Sequence, residues 1–465
     1  MTINVKIGKE KRNEINPMIF GNFLEHIQNC LVDGVFCENH PLSDETGIRQ
    51  DVLEKCKELN PPIVRFPGGT VTNIYHWQDH IGPVNERKKG NNLIWDGRMC
   101  HEFGTAEFVK YCREIGAEPM ICINISSGSL QEAADWVEYC NGTGDTYYAN
   151  LRRSHGYEEP FNVKYWEIGN ENYCEPDLGG FTAESYTRVA CEYGKYLKLT
   201  DHSIRLIFTG HPYPTCRWNR VLLDKVYSMC DYLSMHYFHY EAPDYDEIKK
   251  FEKYFLVPME AILDEYNEKE VKDDYFYPCY KRSAPIKFAL NEWNLWYKIT
   301  DREAGFGLQC KYEWKAALWV AEFLNLLIRH SHHIEIANMA QMVNVMAPII
   351  ATEEGSYRQT TFYPLRNFRR ECAGYLADVS YECEGLDISA TVGEDGSYTV
   401  FAVNTLPTPL SLGFEKTVEQ ISVCHCDDLN LINSMEKDVV EEYEKSPMEK
   451  EVEVPPYSIS VIKLK

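Results

Sequence analysis

The chain has 465 residues, with 47 Lys or Arg against 71 Asp or Glu, which gives a formal net charge of −24. A surface of this sign repels phosphate backbones and anionic lipids, so we expect neither nucleic acid nor membrane as a partner. The length predicts one large domain with a smaller one, and a hydrophobic fraction of 44% with a mean hydropathy of −0.41 fits a folded core.

The N-terminal segment and the cysteines predict a cytoplasmic location. Residues 1–10 lack the apolar stretch of a signal peptide, and no run of about eighteen apolar residues occurs. The 17 cysteines are scattered singly and show no zinc-ligand spacing. We therefore expect reduced thiols in a cytoplasm rather than disulfides.

Residues 17–365 are predicted to form a (β/α)₈ TIM barrel. Helical patterns at residues 105–116, 130–139 and 315–330 lie between apolar runs, the first with Thr105 as its N-cap and Gly116 as its stop. A doubly wound open sheet is the main alternative, but no glycine-rich phosphate turn follows the first strand. The eight predicted strands cover residues 19–26, 63–69, 120–128, 164–171, 205–212, 232–238, 286–294 and 339–348.

After residue 366 the pattern changes to short alternating strands. Residues 388–392, 398–404 and 458–463 are separated by Gly, Pro, Asn and Asp turns. They predict an antiparallel β-sandwich over residues 366–465. Residues 1–16 also alternate at their start and are expected to join this sandwich. The acidic stretch at residues 436–453 is expected to be a solvated turn or sheet edge.

Polar residues follow several of the predicted barrel strands. The first strand closes on Glu25, the fourth on Asn170 and Glu171, the sixth carries His236 and the seventh Glu292. One glutamate at a strand end usually forms only a salt bridge or a cap. In a TIM barrel, however, the carboxyl ends of all strands converge on one face. Asn170 and Glu171 together with Glu292 therefore predict a pair of facing carboxyl groups.

Two facing carboxyl groups suit the cleavage of a glycosidic bond. One must be protonated to donate to the leaving oxygen, and the other must be ionised to attack the oxocarbenium-like centre. Retention of configuration places them about 5 Å apart. This proximity also separates their pKa values, because ionising one disfavours ionising the other. We therefore predict a retaining glycoside hydrolase.

Several longer motifs carry a family resemblance. The chain contains Gly21-Asn-Phe-Leu-Glu25-His26, Arg65-Phe-Pro-Gly-Gly, Tyr75-His-Trp77 and Gly104-Thr-Ala-Glu-Phe, and further motifs at residues 132–142, 340–345 and 358–364. These motifs resemble glycoside hydrolase family 51, the α-L-arabinofuranosidases, over essentially the whole barrel. The glutamate pair alone is similar to clan A glycoside hydrolases in general.

The resemblance implies roles for individual residues. Glu171 is the expected acid/base, Glu292 the nucleophile and Asn170 the donor to the sugar 2-hydroxyl. The other expected sugar contacts are Glu25 and Gln359 on outer hydroxyls, His236 near the catalytic pair, and Trp77 and Trp296 as aromatic walls. The implied reaction is exo removal of terminal α-L-arabinofuranosyl residues from oligosaccharides by a homo-oligomer such as a hexamer. Hydrolysis by two carboxyl groups requires no metal or organic cofactor.

Two residues depart from the family pattern in the expected sugar pocket. Thr70 follows the Arg-Phe-Pro-Gly-Gly motif where the family usually has Asn or Cys. Phe238 replaces the usual Tyr that hydrogen-bonds the nucleophile, and a phenyl ring cannot donate that bond. Either Tyr237 or Tyr240 substitutes for it, or the nucleophile lies in an altered environment.

Three alternatives stay open. A related glycosidase with a rebuilt sugar pocket would release another sugar or act as an endo-β-glucanase, which Thr70 and Phe238 motivate. A non-catalytic sugar-binding relic is the alternative from another class, although such a protein commonly loses one of the glutamates. A nicotinamide-dependent TIM-barrel reductase is a remote third.

Overall fold

The computed structural model describes residues 2–271, 277–296 and 308–465. Two short strands, β1 (Thr2–Asn4) and β2 (Lys6–Ile7), precede eight parallel strands that close into a barrel in chain order, so the predicted TIM barrel is confirmed. The barrel strands are β3 (Gly21–Phe23), β4 (Ile63–Phe66), β5 (Glu118–Ile123), β6 (Tyr165–Ile168), β7 (Arg205–Thr209), β8 (Tyr232–His239), β9 (Lys287–Leu295) and β10 (Ile334–Met339).

Helices surround these strands. A π-helical turn, Glu252–Leu256, connects the seventh helix to the eighth. None of the described helices is both long and apolar enough to cross a membrane. The helices are α1 (Gln50–Leu59), α2 (Thr105–Ile115), α3 (Leu130–Asn141), α4 (Tyr147–Ser154), α5 (Ala183–Thr200), α6 (Trp218–Val226), α7 (Tyr245–Phe251), α8 (Val257–Asn267), α9 (Trp314–Arg329) and α10 (Phe362–Glu371).

Local sequence signals explain where the central helices begin and end. Ser129 caps α3, because its hydroxyl accepts a hydrogen bond from the backbone of Glu132, whose carboxylate returns to the backbone of Ser129. Gly116 ends α2 with a φ of +78°, a conformation that glycine adopts without strain. Thr105 is not the N-cap that the sequence suggested. Gly104 takes that position, and the Thr105 hydroxyl instead accepts a hydrogen bond from the Trp136 indole.

The eighth barrel strand differs from its predicted position. It spans Ile334–Met339, whereas residues 340–348 leave the barrel as a buried connection toward the catalytic face. Met342 donates from its backbone to the carbonyl of Phe23, which fixes this connection beside the end of β3. The error arose because a buried apolar run has no periodicity that separates strand from loop.

Apolar side chains close the amino-terminal half of the barrel. Seven strands contribute one buried residue each to a single layer, which Met18 covers from outside. Polar side chains are thereby restricted to the carboxyl end of the barrel, where they surround the chemistry. The layer consists of Ile63, Met120, Tyr165, Ile207, Tyr232, Ala289 and Ile336.

The remaining strands build a C-terminal sheet. A hairpin of β11 (Ile349–Ala351) and β12 (Ser356–Arg358) comes first, followed by β13 (Tyr375–Ala377), β14 (Val379–Ser380), β15 (Leu386–Val392), β16 (Tyr398–Asn404), β17 (Leu410–His425), β18 (Glu441–Lys445), β19 (Glu449–Val454) and β20 (Ser458–Leu464). The principal sheet has the order β1-β17-β20-β16-β15-β13, with β18 and β19 paired to β17. The acidic stretch thus forms strands on a sheet edge.

The C-terminal sheet packs against the barrel through one of its faces. Phe401 and Val461 enter the same buried cluster as the barrel helices, and the Phe401 ring lies 4.6 Å from that of Phe368 on α10. On α9, Arg329 forms an ion pair with Asp387 at 2.9 Å. The opposite face has its own core, to which β1 and β2 contribute neighbouring residues.

The closure of the barrel predicts a position that tolerates no added methyl group. A Cβ on Gly21, which opens β3, would lie 2.2 Å from Asn338 Oδ1 and 2.9 Å from the carbonyl of Ala337. We expect Gly21→Ala to lower the free energy of unfolding by about 1–3 kcal/mol or to prevent folding. Gly90→Ala is the matched control, because nothing lies within 4 Å of its added Cβ. Denaturant unfolding measures both, and equal stability of the two variants would contradict the packing argument.

Candidate active site

The two predicted catalytic glutamates face each other at the carboxyl end of the barrel. Glu171 follows β6 with a φ of +46°, a left-handed conformation that L-residues rarely adopt and that functional sites often hold. Glu292 lies in β9, where it pairs in register with His236 of β8 across a local irregularity. One oxygen of each glutamate and a nitrogen of His236 all lie within 4.8 Å of one another.

Arg65 is the buried cation that organises this site. It is fully buried at the end of β4, and its guanidinium donates to four side chains, one of them the Cys122 thiol at 3.6 Å from Nη2. Nε lies 2.5 Å from Glu167, Nη1 lies 2.7 Å from Glu292 Oε1, and Nη2 lies 2.6 Å from Asn170 Oδ1. Glu292 and Asn170 are therefore held by the same rigid fork, which fixes the orientation of each carboxylate or amide.

Asn170 has a free donor. Its amide oxygen accepts from Arg65, so the assignment of oxygen and nitrogen follows from that bond. The amide nitrogen is buried and has no hydrogen-bond partner within the described residues. A buried donor without a partner is costly, and a ligand hydroxyl group would satisfy it.

His236 lies between the two glutamates. Its Nδ1 is 2.8 Å from Glu171 Oε1 and 3.7 Å from Glu292 Oε1. Burial opposes charging of the ring, but the two carboxylates outweigh it and raise the pKa of His236 above its usual value. Burial likewise opposes ionisation of Glu171, but the bond and charge of His236 pull the pKa of Glu171 below its usual range. The two groups therefore share one proton as an ion pair.

Glu292 has the opposite tendency. Burial raises the pKa of Glu292, and the nearby charge of Glu171 adds to that effect, while His236 and Arg65 oppose it. These directions leave the proton on His236 and favour a proton on Glu292, whereas an acid at Glu171 and a nucleophile at Glu292 need the opposite. A proton must therefore pass from His236 to Glu171 before Glu171 can act as an acid. One oxygen of Glu171 and one of Glu292 lie within 4.8 Å of each other, a close approach that is compatible with a retaining hydrolase.

Glu25 closes the pocket beside Glu292. A Cβ on Gly69 would lie 2.9 Å from Glu292 Oε1 and 3.5 Å from Glu25 Oε2, so one glycine separates the two carboxyl groups. Glu25 accepts hydrogen bonds from Gln341 Nε2 at 2.7 Å and from Trp95 Nε1 at 3.0 Å. Burial, reinforced by repulsion from Glu292, raises the pKa of Glu25 to about 7.

Four residues of the site were not assigned a role from the sequence. Arg65 and Gln341 lay within motifs that were quoted only for resemblance. Tyr173, whose hydroxyl donates to Glu171 Oε1 at 3.3 Å, follows the acid/base in a loop that seemed uninformative. Trp95 lies in an irregular loop, and no sequence pattern connected it to Glu25.

Two predicted sugar contacts lie elsewhere. Trp77 is only 1% exposed; its ring stacks on Trp136 of α3 and its indole donates to the carbonyl of Glu132. It is a core residue and not a pocket wall. Gln359 is also buried, and its amide bonds the backbone of Cys310, Ala347 and Tyr312. Its side chain therefore holds two connections together instead of facing a sugar.

The remaining predicted residues lie near the mouth of the pocket. Trp296 follows β9 and packs edge-on against Phe238 at 5.5 Å, with Tyr240 at 5.6 Å on its other side. Tyr240 is half exposed, so the three rings form an aromatic wall that reaches solvent. Thr70 begins a short 3₁₀ helix directly after Gly69, beside Glu25 and Glu292.

Among the described residues, no neighbouring tyrosine supplies Glu292 with the hydroxyl that Phe238 lacks. Tyr237 packs in the core, with its ring 3.9 Å from that of Phe251. The described tyrosine hydroxyl that bonds one of the two glutamates is that of Tyr173, and it reaches Glu171. Glu292 accepts a hydrogen bond from Arg65.

Comparisons with known proteins agree with this geometry. Two family models match the chain, the Alpha-L-arabinofuranosidase 1 domain over residues 55–255 and the Alpha-L-arabinofuranosidase C-terminal domain over residues 291–458. The chain is 36% identical over 428 residues to alpha-L-arabinofuranosidase C of Emericella nidulans, covering 86% of this chain and 84% of that one. It is 35% identical over 379 residues to an intracellular exo-alpha-(1->5)-L-arabinofuranosidase of Halalkalibacterium halodurans, covering 78% and 74%.

Solved structures give the same answer. The arabinose complex of the alpha-L-arabinofuranosidase from Thermotoga maritima superposes with a TM-score of 0.88 at 32% identity and covers 99% of each chain. The GH51 alpha-L-arabinofuranosidase from Thermotoga petrophila superposes with a TM-score of 0.89 at 32% identity over 100% of each chain. The resemblance inferred from the motifs is confirmed: this chain belongs to glycoside hydrolase family 51, and it is a glycoside hydrolase of the α-L-arabinofuranosidase type.

Proposed function

We propose that the chain is a retaining, exo-acting α-L-arabinofuranosidase in which Glu171 is the acid/base and Glu292 the nucleophile. The observation that carries this proposal is the approach of the two carboxyl groups within 4.8 Å, with His236 between them and Arg65 on Glu292. This close approach of one oxygen from each carboxyl group favours direct attack of a carboxylate on the sugar over attack by an intervening water, which an inverting enzyme needs.

The proposed reaction has two displacements. In the first, Glu292 forms a bond to the anomeric carbon while the glycosidic bond breaks and Glu171 transfers a proton to the leaving oxygen. In the second, Glu171 takes a proton from water, whose oxygen bonds the anomeric carbon and releases the Glu292 carboxylate. Configuration at the anomeric carbon is inverted twice and so retained.

His236 holds the proton that the first displacement uses. In the empty site the Glu171–His236 ion pair keeps the proton on the imidazole, 2.8 Å from Glu171 Oε1. Transfer of that proton to Glu171 converts the ion pair into two neutral groups, and Glu171 can then donate the proton to the leaving oxygen. The rise in the pKa of His236 keeps the pair protonated above the pH at which a lone glutamate would ionise.

The surroundings of Glu25 support exo action on a small terminal sugar. Glu25 is buried beside Glu292, accepts hydrogen bonds from Gln341 and Trp95, and offers acceptors to outer hydroxyl groups. The free amide N–H of Asn170 is the proposed donor to the 2-hydroxyl, a bond that strengthens in the transition state. Trp296 is assigned to the leaving-group side, together with the other rings of the aromatic wall.

The aromatic wall of Trp296, Phe238 and Tyr240 would contact the part of the substrate that leaves. Rings of this kind stack on the apolar faces of sugars. The relative from Halalkalibacterium halodurans is named an exo-alpha-(1->5)-L-arabinofuranosidase, which supports short α-1,5-linked arabino-oligosaccharides as substrates here. A related glycosidase acting on another sugar remains the second candidate, and Thr70 and Phe238 are the observations that favour it.

A cytoplasmic, oligomeric enzyme completes the proposal. All 17 cysteines are free thiols, as in proteins of reducing compartments, and one relative is named intracellular. The homo-oligomer rests on the family resemblance alone. Light scattering on the purified protein measures its mass, and a monomer of 54.0 kDa would contradict that part.

A panel of aryl glycosides tests the sugar. We expect the α-L-arabinofuranoside to give the highest kcat/KM among α- and β-linked pentosides and hexosides, because the pocket around Glu25 is closed. A higher kcat/KM on any other glycoside would show that Thr70 and Phe238 mark a rebuilt pocket. The anomer released first, followed by NMR, tests retention independently.

Removal of each glutamate tests the assigned roles. Glu292→Ala should lower kcat by roughly 10⁴-fold or more on every substrate, because no nucleophile remains. Glu171→Ala should lower kcat/KM by about 10²–10⁴-fold on oligosaccharides, but much less on aryl glycosides whose leaving group needs no proton. Equal losses on both substrate types would contradict the acid role of Glu171. Circular dichroism controls for folding.

The shared proton predicts a change in pH dependence. His236→Asn keeps a donor near the position of Nδ1 but removes the titrating ring. In the wild type the proton is lost through the raised pKa of His236, above about 6.5, whereas in the variant Glu171 must hold it alone. We therefore expect the basic limb of the kcat/KM profile to move to lower pH. An unmoved basic limb would show that His236 does not hold the catalytic proton.

A further inference from the structure

A second cluster of ionisable side chains lies at the opposite end of the barrel from the catalytic pair. The turn between α9 and β10 carries His330, His332 and His333, and it faces Glu260 and Asp264 of α8. The turn leads directly into Ile334, the first residue of β10, and so lies at the amino-terminal end of the strands. None of these residues takes part in the proposed hydrolysis.

His330 is already fully bonded. Its Nδ1 lies 2.7 Å from Glu260 Oε1, and its Nε2 lies 2.9 Å from Glu252 Oε1. Because carboxylates only accept hydrogen bonds, both nitrogens must donate, and the ring is an imidazolium. His330 therefore balances one of the carboxylates and offers no lone pair to a ligand.

His333 has a nitrogen without a partner. Its Nε2 lies 2.8 Å from Asp264 Oδ1 and so donates to that carboxylate. Its Nδ1 is buried, has no hydrogen-bond partner within the described residues, and lies 3.4 Å from Glu260 Oε1. The residue is only 8% exposed. In the neutral ring this arrangement sets a lone pair against a carboxylate oxygen. Either a proton or a metal cation between the two atoms removes that repulsion; Glu260 and Asp264 raise the pKa of His333 against the effect of burial, so a bound cation would take the place of that proton.

His332 supplies a third ligand atom. Its Nε2 lies 4.0 Å from the same Glu260 oxygen, and its side chain is 45% exposed. One ligand atom from each of Glu260, His332 and His333 lies within 4.8 Å of the others. Tetrahedral zinc with bonds of about 2.0–2.2 Å separates its ligand atoms by roughly 3.4 Å. The Glu260–His333 distance matches this value, and the exposed His332 ring needs only a small rotation.

We propose that Glu260, His332 and His333 form a binding site for a divalent transition-metal ion of the zinc type. Two imidazoles and one carboxylate favour such an ion over Mg²⁺ or Ca²⁺, which prefer oxygen ligands. Asp264 orients His333 through its Nε2–H, as second carboxylates commonly do for zinc-bound histidines. The exposed side of His332 leaves a fourth position open to water.

The local charge favours a cation. Four carboxylates, those of Glu252, Glu260, Asp264 and Asp387, stand against three cations. These are the imidazolium of His330, the ammonium of Lys287, which bonds the His332 carbonyl, and the guanidinium of Arg329, which pairs with Asp387 and attracts Glu252. A bound ion would connect α8 to the turn before β10. Its effect is therefore expected on stability and not on hydrolysis, because the catalytic pair lies at the other end of the barrel.

Calorimetric titration of the purified, metal-free protein with Zn²⁺ tests the site. We expect one site per chain in the wild type, binding weakened about 10- to 100-fold or more in His332→Ala, and an unchanged kcat/KM in that variant. His202→Ala is the matched control, because His202 is an exposed histidine on another surface. Equal Zn²⁺ affinity of wild type and His332→Ala would overturn the proposal, as would no binding to the wild type.

Two other groups of ligands require separate controls. The free thiols bind Zn²⁺, so Co²⁺ is used as a second probe, since thiolate ligation adds intense near-ultraviolet charge-transfer absorption that nitrogen and oxygen ligands do not. The Glu171, His236 and Glu292 cluster also offers three ligand atoms, but an ion there would inhibit hydrolysis. A Co²⁺ spectrum dominated by thiolate bands, or binding that scales with inhibition, would overturn the assignment. His333→Gln provides a second variant that should also lose the ion.

Discussion

The catalytic end of the barrel depends on the charge and the hydrogen bonds of the Arg65 guanidinium. Four carboxyl groups lie close together here: those of Glu25, Glu167 and Glu292 are buried and that of Glu171 is partly buried. Burial of so many acids is costly without compensation. Arg65 places one permanent positive charge among them and bonds two directly. Because its fork is rigid, it sets orientation as well as charge.

The two proposed catalytic glutamates have different cationic partners. Glu292 is bonded to a group that cannot lose its proton, whereas Glu171 is bonded to His236, which can. Arg65 thereby opposes the rise in the pKa of Glu292 that burial causes, and Glu171, the proposed acid/base, has a neighbour that exchanges protons with it. The missing hydroxyl at Phe238 fits this scheme, because Arg65 already holds the nucleophile and Tyr173 assists the acid/base.

The barrel and its facing carboxyl groups could be predicted from the sequence, whereas the direction in which individual side chains point could not. Eight alternating strands with glutamates at their ends were sufficient for the barrel and for facing carboxyl groups, since strand ends meet wherever a barrel closes. Trp77 and Gln359 were misplaced because contacts with residues distant in the sequence, here Trp136 and Tyr312, decide whether a side chain turns to the core or to the pocket. The partners of Glu25 come from irregular connections, whose course no periodicity encodes.

The parallel pairing of β1 with β17 has a consequence for synthesis of the chain. Thr2 lies in register with Ser411, and Asn4 with Gly413, so the first strand has no partner in this sheet until more than four hundred residues have been made. The barrel can close earlier, since β10 ends at Met339. During translation the first strand therefore stays unpaired in this sheet while the barrel folds. Its pairing with β17 is a late, long-range step that joins the two ends of the polypeptide.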